Sequence, residues 1–584
     1  SAPLDLQSFI KSLRSEKDLV EINVEVDPYL EVAEIHRRVI DEGGPALLFN
    51  NVKGASFPLV TNLFGTQKRI ELAFGSKPQE VIRQAAKLPE TVIPPTLGKL
   101  WSHRDLLMSL AKVGLKTNSS LPDDVLTQVP PKLSKLPLLT TWIEDGGPFV
   151  TLPLVYTEHP ETHIPNLGMY RIQRYDDSTT GFHCQIGKGA GFHLHAAKEL
   201  NRSLPVNISI GGPPALILSA IAPLPENVPE LLLASLALGK KFPLTKNPIG
   251  PLPIPSNAEF TIVGEVNPNE YRPEGPFGDH YGYYSLKHDY PVFRAKGIIH
   301  RKNAVCAATV VGKPKQEDFF LGDYLQDLLS PLFPIVMPAV KDLWSYGETG
   351  YHSLATAVVK QRYKREAMAS AFRILGEGQL SLTKFLILID KEMDLKDFKS
   401  VLTYLLERCD FRTDLYVFSN LSMDTLDYNG PTVNEGSKGV MLGVGDPIRT
   451  LPKEFSGDIP SGIKEVKIFS PGCLVVSGKS FKEDSALPAR IANFDKFKDW
   501  PLIVVVDDVN KATRNSSDFL WTTFTRFEPG ADIYSSKTEI YRNHIVHTGP
   551  IVIDARMKPH LPDELICDEK TKELVDKRWG SYFS

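Results

Sequence analysis

The sequence predicts an α+β fold with a strand-rich centre, and three observations carry that prediction. The first eighty residues alternate helix-period and strand-period segments. Residues 148–315 break into short β-type runs separated by Gly and Pro turns, the pattern of a barrel or sandwich. After residue 316 the α/β character returns, and one strand–helix–strand pattern is met twice.

Taken in order, Leu6, Phe9, Ile10 and Leu13 fall at helical spacing, and Val20, Ile22, Val24 and Val26 alternate as a strand does. "LEVAEIHRRVIDEGG" is a second helix stopped by glycines, and "PALLFNNV" a second strand. From about 85 to 140 Pro, Lys and Leu predominate, which predicts a helical linker region. The central strands are "FVTLPLVY", "GMYRIQRY", "LPVNISIGG", "AEFTIVGEV", "PVFRAKGIIHR" and "AVCAATVVG". "ATAVVKQRYKREAMASAFRIL" is expected to be helical. "KFLILIDKEMDLKDFKSVLTYLLERCDFRTDLYVFS" (384–419) then resembles "PLIVVVDDVNKATRNSSDFLWTTFTRFEPGADIYSS" (501–536), with Asp390 matching Asp507 and Asp414 matching Asp532. Two distant copies predict a duplicated α/β unit rather than a solenoid.

Composition excludes several classes. Hydrophobic residues make up 42% and charged residues 23% of the chain, ordinary values for a globular protein. The 66 basic and 70 acidic residues leave a net charge of −4, with no basic footprint for nucleic acid. No apolar run approaches the roughly 18 residues of a membrane span, and the N-terminus shows no signal-peptide pattern. The five cysteines lie far apart without a CxxC, so neither a disulfide framework nor a zinc finger is indicated. A reduced, cytoplasmic setting is the expectation.

The segment that carries chemistry is "RPEGPFGDHYGYYS", residues 272–285. Pro273 and Pro276 remove backbone donors, which excludes a helix interior or a central strand. Glu274 and Asp279 flank Gly-Pro-Phe-Gly, and Phe277, Tyr281, Tyr283 and Tyr284 need an apolar surface. Acids held beside buried aromatics are expected to have raised pKa values and to donate protons near neutral pH. "HPETH" (159–163) reads as a loop and not a helical zinc pair, and neither "GKGAGF" nor "GVGDP" is a dinucleotide or Walker loop. "FHLH" on a strand would place His193 and His195 on one face. Lys438 sits in the glycine loop "NEGSKGVMLGVG", where it is either solvated or in contact with a phosphate.

These residues, together with "NLGMYRIQ" (166–173), "HCQIGKGAG" (183–191), "LPVNISIGGPPALILSAIAPLPE" (204–226), "VGKPKQED" and "GSKGVMLGVG", resemble the UbiD family of prenylated-FMN-dependent decarboxylases. The likeness covers most of the chain, to about residue 445. It implies a central split β-barrel that binds the flavin, flanked by α/β segments, with domains at 1–110, 111–325, 326–450 and an additional 451–584. It also implies prenylated FMN supplied by a flavin prenyltransferase, a divalent metal (usually Mn²⁺), often K⁺, and a homodimer or larger homo-oligomer.

Carried over residue by residue, the resemblance makes Glu274 and Asp279 the catalytic acids. Lys188 then stands where the family's catalytic arginine is expected. Met169, Tyr170, Arg171, His183, Cys184, Gln185, Lys188, Gly189, Ala220, Ile221, Ala222 and Pro223 become flavin-contacting positions, and Lys438 a phosphate-side lysine. Glu230 matches the acidic metal ligand, with Asn166, His183 and His193 as the remaining ligand positions. The reaction implied is reversible, non-oxidative decarboxylation of an aromatic or conjugated acid. A hydroxybenzoate or dihydroxynaphthoate of quinone biosynthesis, prenylated or not, is the expected substrate, and a prenylated one implies peripheral membrane contact. The alternatives are a flavin-binding component whose catalytic site has drifted, and a zinc hydrolase using His159, His163 or His193.

Overall fold

The computed structural model describes residues 2–91, 95–185, 189–224, 229–363 and 365–584. The chain forms two units, Ser1–Leu328 together with Glu564–Ser584, and Leu329–Asp563.

In the first unit the opening helix Leu6–Ser15 forms where the spacing predicts it. Asp5 caps it by accepting the Ser8 N–H at 2.7 Å, and Leu6, Phe9, Ile10 and Leu13 are buried. Leu19–Ile22 pairs in parallel with Ala46–Phe49 across the helix Glu31–Asp41, a βαβ crossover. The strand is shorter than the Val20–Val26 alternation suggests. Leu59–Thr61 and Cys306–Ala307 complete this sheet, so "AVCAATVVG" belongs here and not to the centre. The C-terminal helix Glu569–Tyr582 returns to the same unit. Its Asp576 pairs with Arg38 at 2.6 Å, and Arg578 and Tyr582 reach the buried Glu31. The expected segment 451–584 therefore divides at residue 564.

The central sheet is antiparallel, in the order Thr179–Gly181, His288–Arg301, Phe260–Glu274, Leu204–Ile210, Leu154–Glu158, Pro165–Gly168, with Val125–Gln128 also paired to His288–Arg301. Among the described residues its outer strands do not pair with each other, so no closed barrel forms. Two register shifts bend the longest strand, between Val263 and Gly264 and between Val266 and Tyr271. Beyond the second shift, Tyr271–Glu274 pair only with His288–Pro291, as a two-stranded ribbon. Pro273 is thus accommodated near the end of the strand and outside its doubly paired part, because a ribbon edge does not need its missing N–H.

Where the first sheet meets the helix Glu317–Leu329, a buried acid faces a buried imidazole. Glu317 Oε1 accepts the Phe64 N–H at 2.9 Å, and Thr309 bonds the other oxygen. The Nε2 atom of His36 lies 3.8 Å from Glu317. Burial pushes Glu317 up to about 7, and burial, then Arg37 and Arg69, pull His36 down to about 3. The folded acid keeps its proton to about pH 7, whereas the unfolded acid releases it near 4.5. Its stabilising contribution is complete below the lower value and lost as pH rises through the upper one, a change on the order of 3 kcal/mol. Glu317→Gln imitates the protonated acid. Its melting temperature should match the parent's at pH 4 and exceed it at pH 8; parallel melting curves against pH would exclude the assignment.

The second unit contains two five-stranded sheets of identical topology. One runs Val340–Ser345, Leu354–Val359, Phe385–Ile389, Glu435–Gly443, Leu415–Ser422. The other runs Ile463–Ser470, Cys473–Gly478, Leu502–Val506, Ile551–Asp554, Ile533–Tyr534. In each, successive pairs are antiparallel, parallel, parallel and antiparallel. The matched aspartates do the same work in both copies. Asp390 accepts the Gly445 N–H and Asp507 the Met557 N–H, each at 2.8 Å. Asp414 and Asp532 each accept the N–H four residues earlier, at 2.9 and 2.8 Å. The duplication is real. "ATAVVKQRYKREAMASAFRIL" is not one helix: its start belongs to the buried strand Leu354–Val359, and its end is the helix Glu366–Leu375.

Candidate active site

Glu274 ends the strand Phe260–Glu274, and Asp279 lies in the loop that follows. That loop is held from several sides. Gln173 accepts the Gly275 N–H at 2.7 Å, Asp145 accepts the Gly278 N–H at 2.8 Å, and Ser285 accepts the Phe277 N–H at 3.0 Å. Gly278 packs so close to Trp142 that a Cβ there would come within 2.2 Å of the indole, so glycine is required for contact. Phe277 is buried against Phe149, ring centroids 4.5 Å apart.

Arg171 stands between the two acids. Its Nε and Nη2 donate to the two oxygens of Glu274 at 3.0 and 2.9 Å, a bidentate fork, and Nη1 donates to Asp279 at 3.2 Å. Nη2 also donates to Ser285 Oγ at 3.2 Å, and the guanidinium lies 5.1 Å from the Phe277 ring centroid. An arginine is therefore present between the acids, and Lys188 need not replace it; Lys188 itself lies outside the described residues. His183 Nδ1 is 3.6 Å from Glu274, and its ring lies against Tyr290 at 4.2 Å. His280 Nδ1 is 2.8 Å from Asp279, whose Oδ1 also accepts the His280 N–H at 2.7 Å.

These partners reverse the pKa expectation. Burial would raise both carboxyls, but His183 and Arg171 hold Glu274 at about 2. His280 and Arg171 likewise hold Asp279 at about 2. In this arrangement both are carboxylates at neutral pH. The raised acids nearby are Asp145, which burial takes to about 6, and Asp318, which burial also raises against the pull of His280.

Three of the four expected metal ligands gather at a second corner of this unit. Asn166 lies on the strand Pro165–Gly168 opposite Thr157, and the Thr157 hydroxyl is 2.8 Å from His193 Nδ1. Glu230 opens the helix Glu230–Leu238 and accepts the Leu167 N–H at 3.1 Å. Burial raises the Glu230 carboxyl. Burial, then His159, pulls His193 down to about 4. The corner thus offers a carboxyl group, an amide and a neutral imidazole to an ion, and such oxygen and imidazole donors suit a divalent cation such as Mn²⁺. Among the described residues no group of three or more His, Cys, Asp and Glu is placed to hold a metal, so the amide would have to take part. His183 keeps company with Glu274 instead of this corner.

"FHLH" is helical, not extended. Gly189–Glu199 is a helix, which buries His193 and leaves His195 outside in an exposed pair with Glu199 at 3.4 Å. Tyr170 donates to neither acid; its hydroxyl accepts from Asn166 at 3.2 Å and from the Ala190 N–H at 3.4 Å. Gly189, at φ +48°, lets the chain pass Tyr170, since a Cβ would meet the hydroxyl at 2.6 Å. Met169 and Ala220–Pro223 line the same unit, where Ala220 and Ile221 end the helix Pro214–Ile221. Cys184 is buried, its thiol pushed up to about 12, and Gln185 is exposed. Lys438 lies in the second unit, on the strand Glu435–Gly443, where it donates to Thr383 O at 2.7 Å. Burial lowers its ammonium to about 8.

Comparison with known proteins agrees with this architecture. Residues 10–88, 116–314 and 319–443 match the N-terminal, Rift-related and C-terminal domains of 3-octaprenyl-4-hydroxybenzoate carboxy-lyase. A Chlamydia pneumoniae protein, named as one subunit of a 4-hydroxybenzoate decarboxylase, is 48% identical over 578 residues, 99% of this chain and 98% of its own. The closed form of vanillic acid decarboxylase from Sedimentibacter hydroxybenzoicus superposes with a TM-score of 0.67 at 23% identity, covering 79% of this chain and 97% of that one. An evolved dimeric HmfF from Pelotomaculum thermopropionicum, solved with prenylated FMN, gives 0.62 at 22% identity, covering 79% and 97%. The chain belongs to the UbiD family of decarboxylases.

Proposed function

We propose that the protein is a prenylated-FMN-dependent, reversible and non-oxidative decarboxylase of an aromatic acid of the hydroxybenzoate class. The observation that carries this reading is the guanidinium of Arg171 clamped between the buried Glu274 and Asp279. The name of the Chlamydia pneumoniae relative favours the substrate class, and a hydroxybenzoate or dihydroxynaphthoate of quinone biosynthesis fits it. Asn166, His193 and Glu230 would hold a divalent cation at the cofactor phosphate, with K⁺ as a further ion. A flavin prenyltransferase would supply the cofactor, and HmfF's dimeric form supports self-association. Among the described residues no helix is long and apolar enough to cross a membrane.

When bound, prenylated FMN supplies the electron sink for the carbon–carbon cleavage. The residues of the chain supply orientation and a proton. An incoming substrate carboxylate competes for Arg171, which weakens its hold on Asp279 and places a second negative charge nearby. Both effects raise the proton affinity of Asp279. His280, part-exposed at the far oxygen, passes a proton from solvent to the acid. Asp279 then protonates the carbon from which CO₂ has left, so that one C–C bond breaks and one C–H bond forms.

The test is expression with a flavin prenyltransferase, identification of the bound cofactor by absorbance and mass, and CO₂ release from 4-hydroxybenzoate, its prenylated forms and dihydroxynaphthoate. A loaded chain that turns over none of these and exchanges no deuterium into the product arenes would support a drifted flavin-binding component instead. Glu230→Ala should lose metal and cofactor together, because a partly buried ion would lose its charged ligand. Full cofactor occupancy in that variant would remove Glu230 from the role.

A further inference from the structure

The helices Leu97–Ser102 and Arg104–Ala111 fall between the first two matched family domains, which end at residue 88 and resume at 116. Leu106 is their one buried side chain, packed with Val81 and Leu236. The other large apolar side chains face outward. Leu97 is 87% exposed, Trp101 70% and Met108 59%, with Leu107 and Leu110 both at 44% and Leu100 at 39%. Isolated apolar residues on a surface need no account, but six on two consecutive helices make a patch. Residues 95–118 also carry Lys99, Arg104, Lys112 and Lys116 against Asp105 alone, a net +3 (four minus one) in a chain of net −4. The Arg104 guanidinium lies 5.2 Å from the Trp101 ring centroid, so cation and aromatic are presented together.

We propose that these two helices form a peripheral docking surface for anionic phospholipid bilayers. Tryptophan, leucine and methionine beside lysine and arginine is the composition that settles at the headgroup–acyl boundary. The positive charge complements an anionic leaflet. Two short helices can lie in that boundary but cannot cross it. A second copy fits the face less well. Isologous docking through it would bring two sets of the same basic residues together. The inference rests on this surface and not on the decarboxylase reading.

The experiment is cosedimentation of the full chain with vesicles of equal phosphatidylglycerol and phosphatidylcholine, and with phosphatidylcholine alone. The parent should pellet with the anionic vesicles, and added salt should release it. Lys112→Glu with Lys116→Glu should weaken binding by about fivefold or more per residue. Trp101→Ser with Met108→Ser should abolish binding while leaving the melting temperature and solution decarboxylation unchanged, since both side chains are mostly exposed. A parent that stays in the supernatant with anionic vesicles overturns the proposal, as does equal binding to phosphatidylcholine alone. Loss of self-association in the Trp101/Met108 variant, with no vesicle binding by the parent, would reassign the face to contact between copies.

Discussion

Arg171→Ala should abolish decarboxylation and cost the fold about 3–5 kcal/mol, because it leaves two buried carboxylates without their shared partner. In the parent, Glu274 and Asp279 are both held at about 2. Depressed carboxyls contribute stability above their unfolded values near 4, and that contribution is lost only as pH falls through about 2. Removing the guanidinium raises both pKa values and cancels much of this contribution at neutral pH. The melting-temperature deficit of Arg171→Ala should therefore be largest at pH 7–8 and shrink toward pH 4, where protonation discharges the stranded acids. Arg171→Lys keeps the charge but cannot fork across Glu274 while reaching Asp279, so it should recover more stability than activity. A variant without the guanidinium that melts and decarboxylates like the parent would dismiss the clamp as a functional feature.

That clamp shows where the sequence stops being legible. The acids stand out because proline, glycine and aromatics mark their loop within fourteen residues, 272–285. The arginine comes from a position 103 residues before Glu274, and nothing in "NLGMYRIQ" says that its guanidinium turns toward that acid. The pKa direction expected from the sequence fails for the same reason. The aromatics that suggest raised values are adjacent in the chain, but His183 and Arg171 arrive through the fold and outweigh burial. A signal does exist: two acids destined for burial require a cation, and Arg171 is the one basic residue in the motif beside Gln173, which accepts from the same loop. The roles of His280 and Asp145 escape a sequence reading because they depend on the loop's closure and not on its composition.

Local patterns are more legible. The Leu6–Ser15 helix and the duplicated α/β unit can be read because each is a contiguous period that buries its own apolar face. "FHLH" misleads, since a four-residue alternation is equally compatible with a helix, and here it lies within the helix Gly189–Glu199. The return of residues 564–584 to the first unit leaves no local mark. It depends on Arg38 and Glu31, more than five hundred residues away, receiving Asp576, Arg578 and Tyr582.

Asp279→Asn should keep the fold and the cofactor but lose about 10²–10⁴-fold in decarboxylation, the usual cost of removing a positioned acid. Asparagine retains the size and one acceptor oxygen, so it can still meet Arg171, but it cannot deliver a proton. Glu274→Gln should also be slow, for a different reason: Glu274 spends both oxygens on Arg171, and its loss misplaces the guanidinium. His280 separates these roles. Its ring is the part-exposed neighbour of Asp279, so His280→Gln should slow reprotonation and sharpen the solvent deuterium isotope effect on turnover. Added imidazole should restore the rate if the ring passes protons and should do nothing if it only props the loop. Bound flavin must be quantified in each variant, because every one of these changes alters charge beside the cofactor. An Asp279→Asn enzyme with full cofactor that still exchanges solvent deuterium into the product arene at the parent rate would move the proton from Asp279 to Glu274.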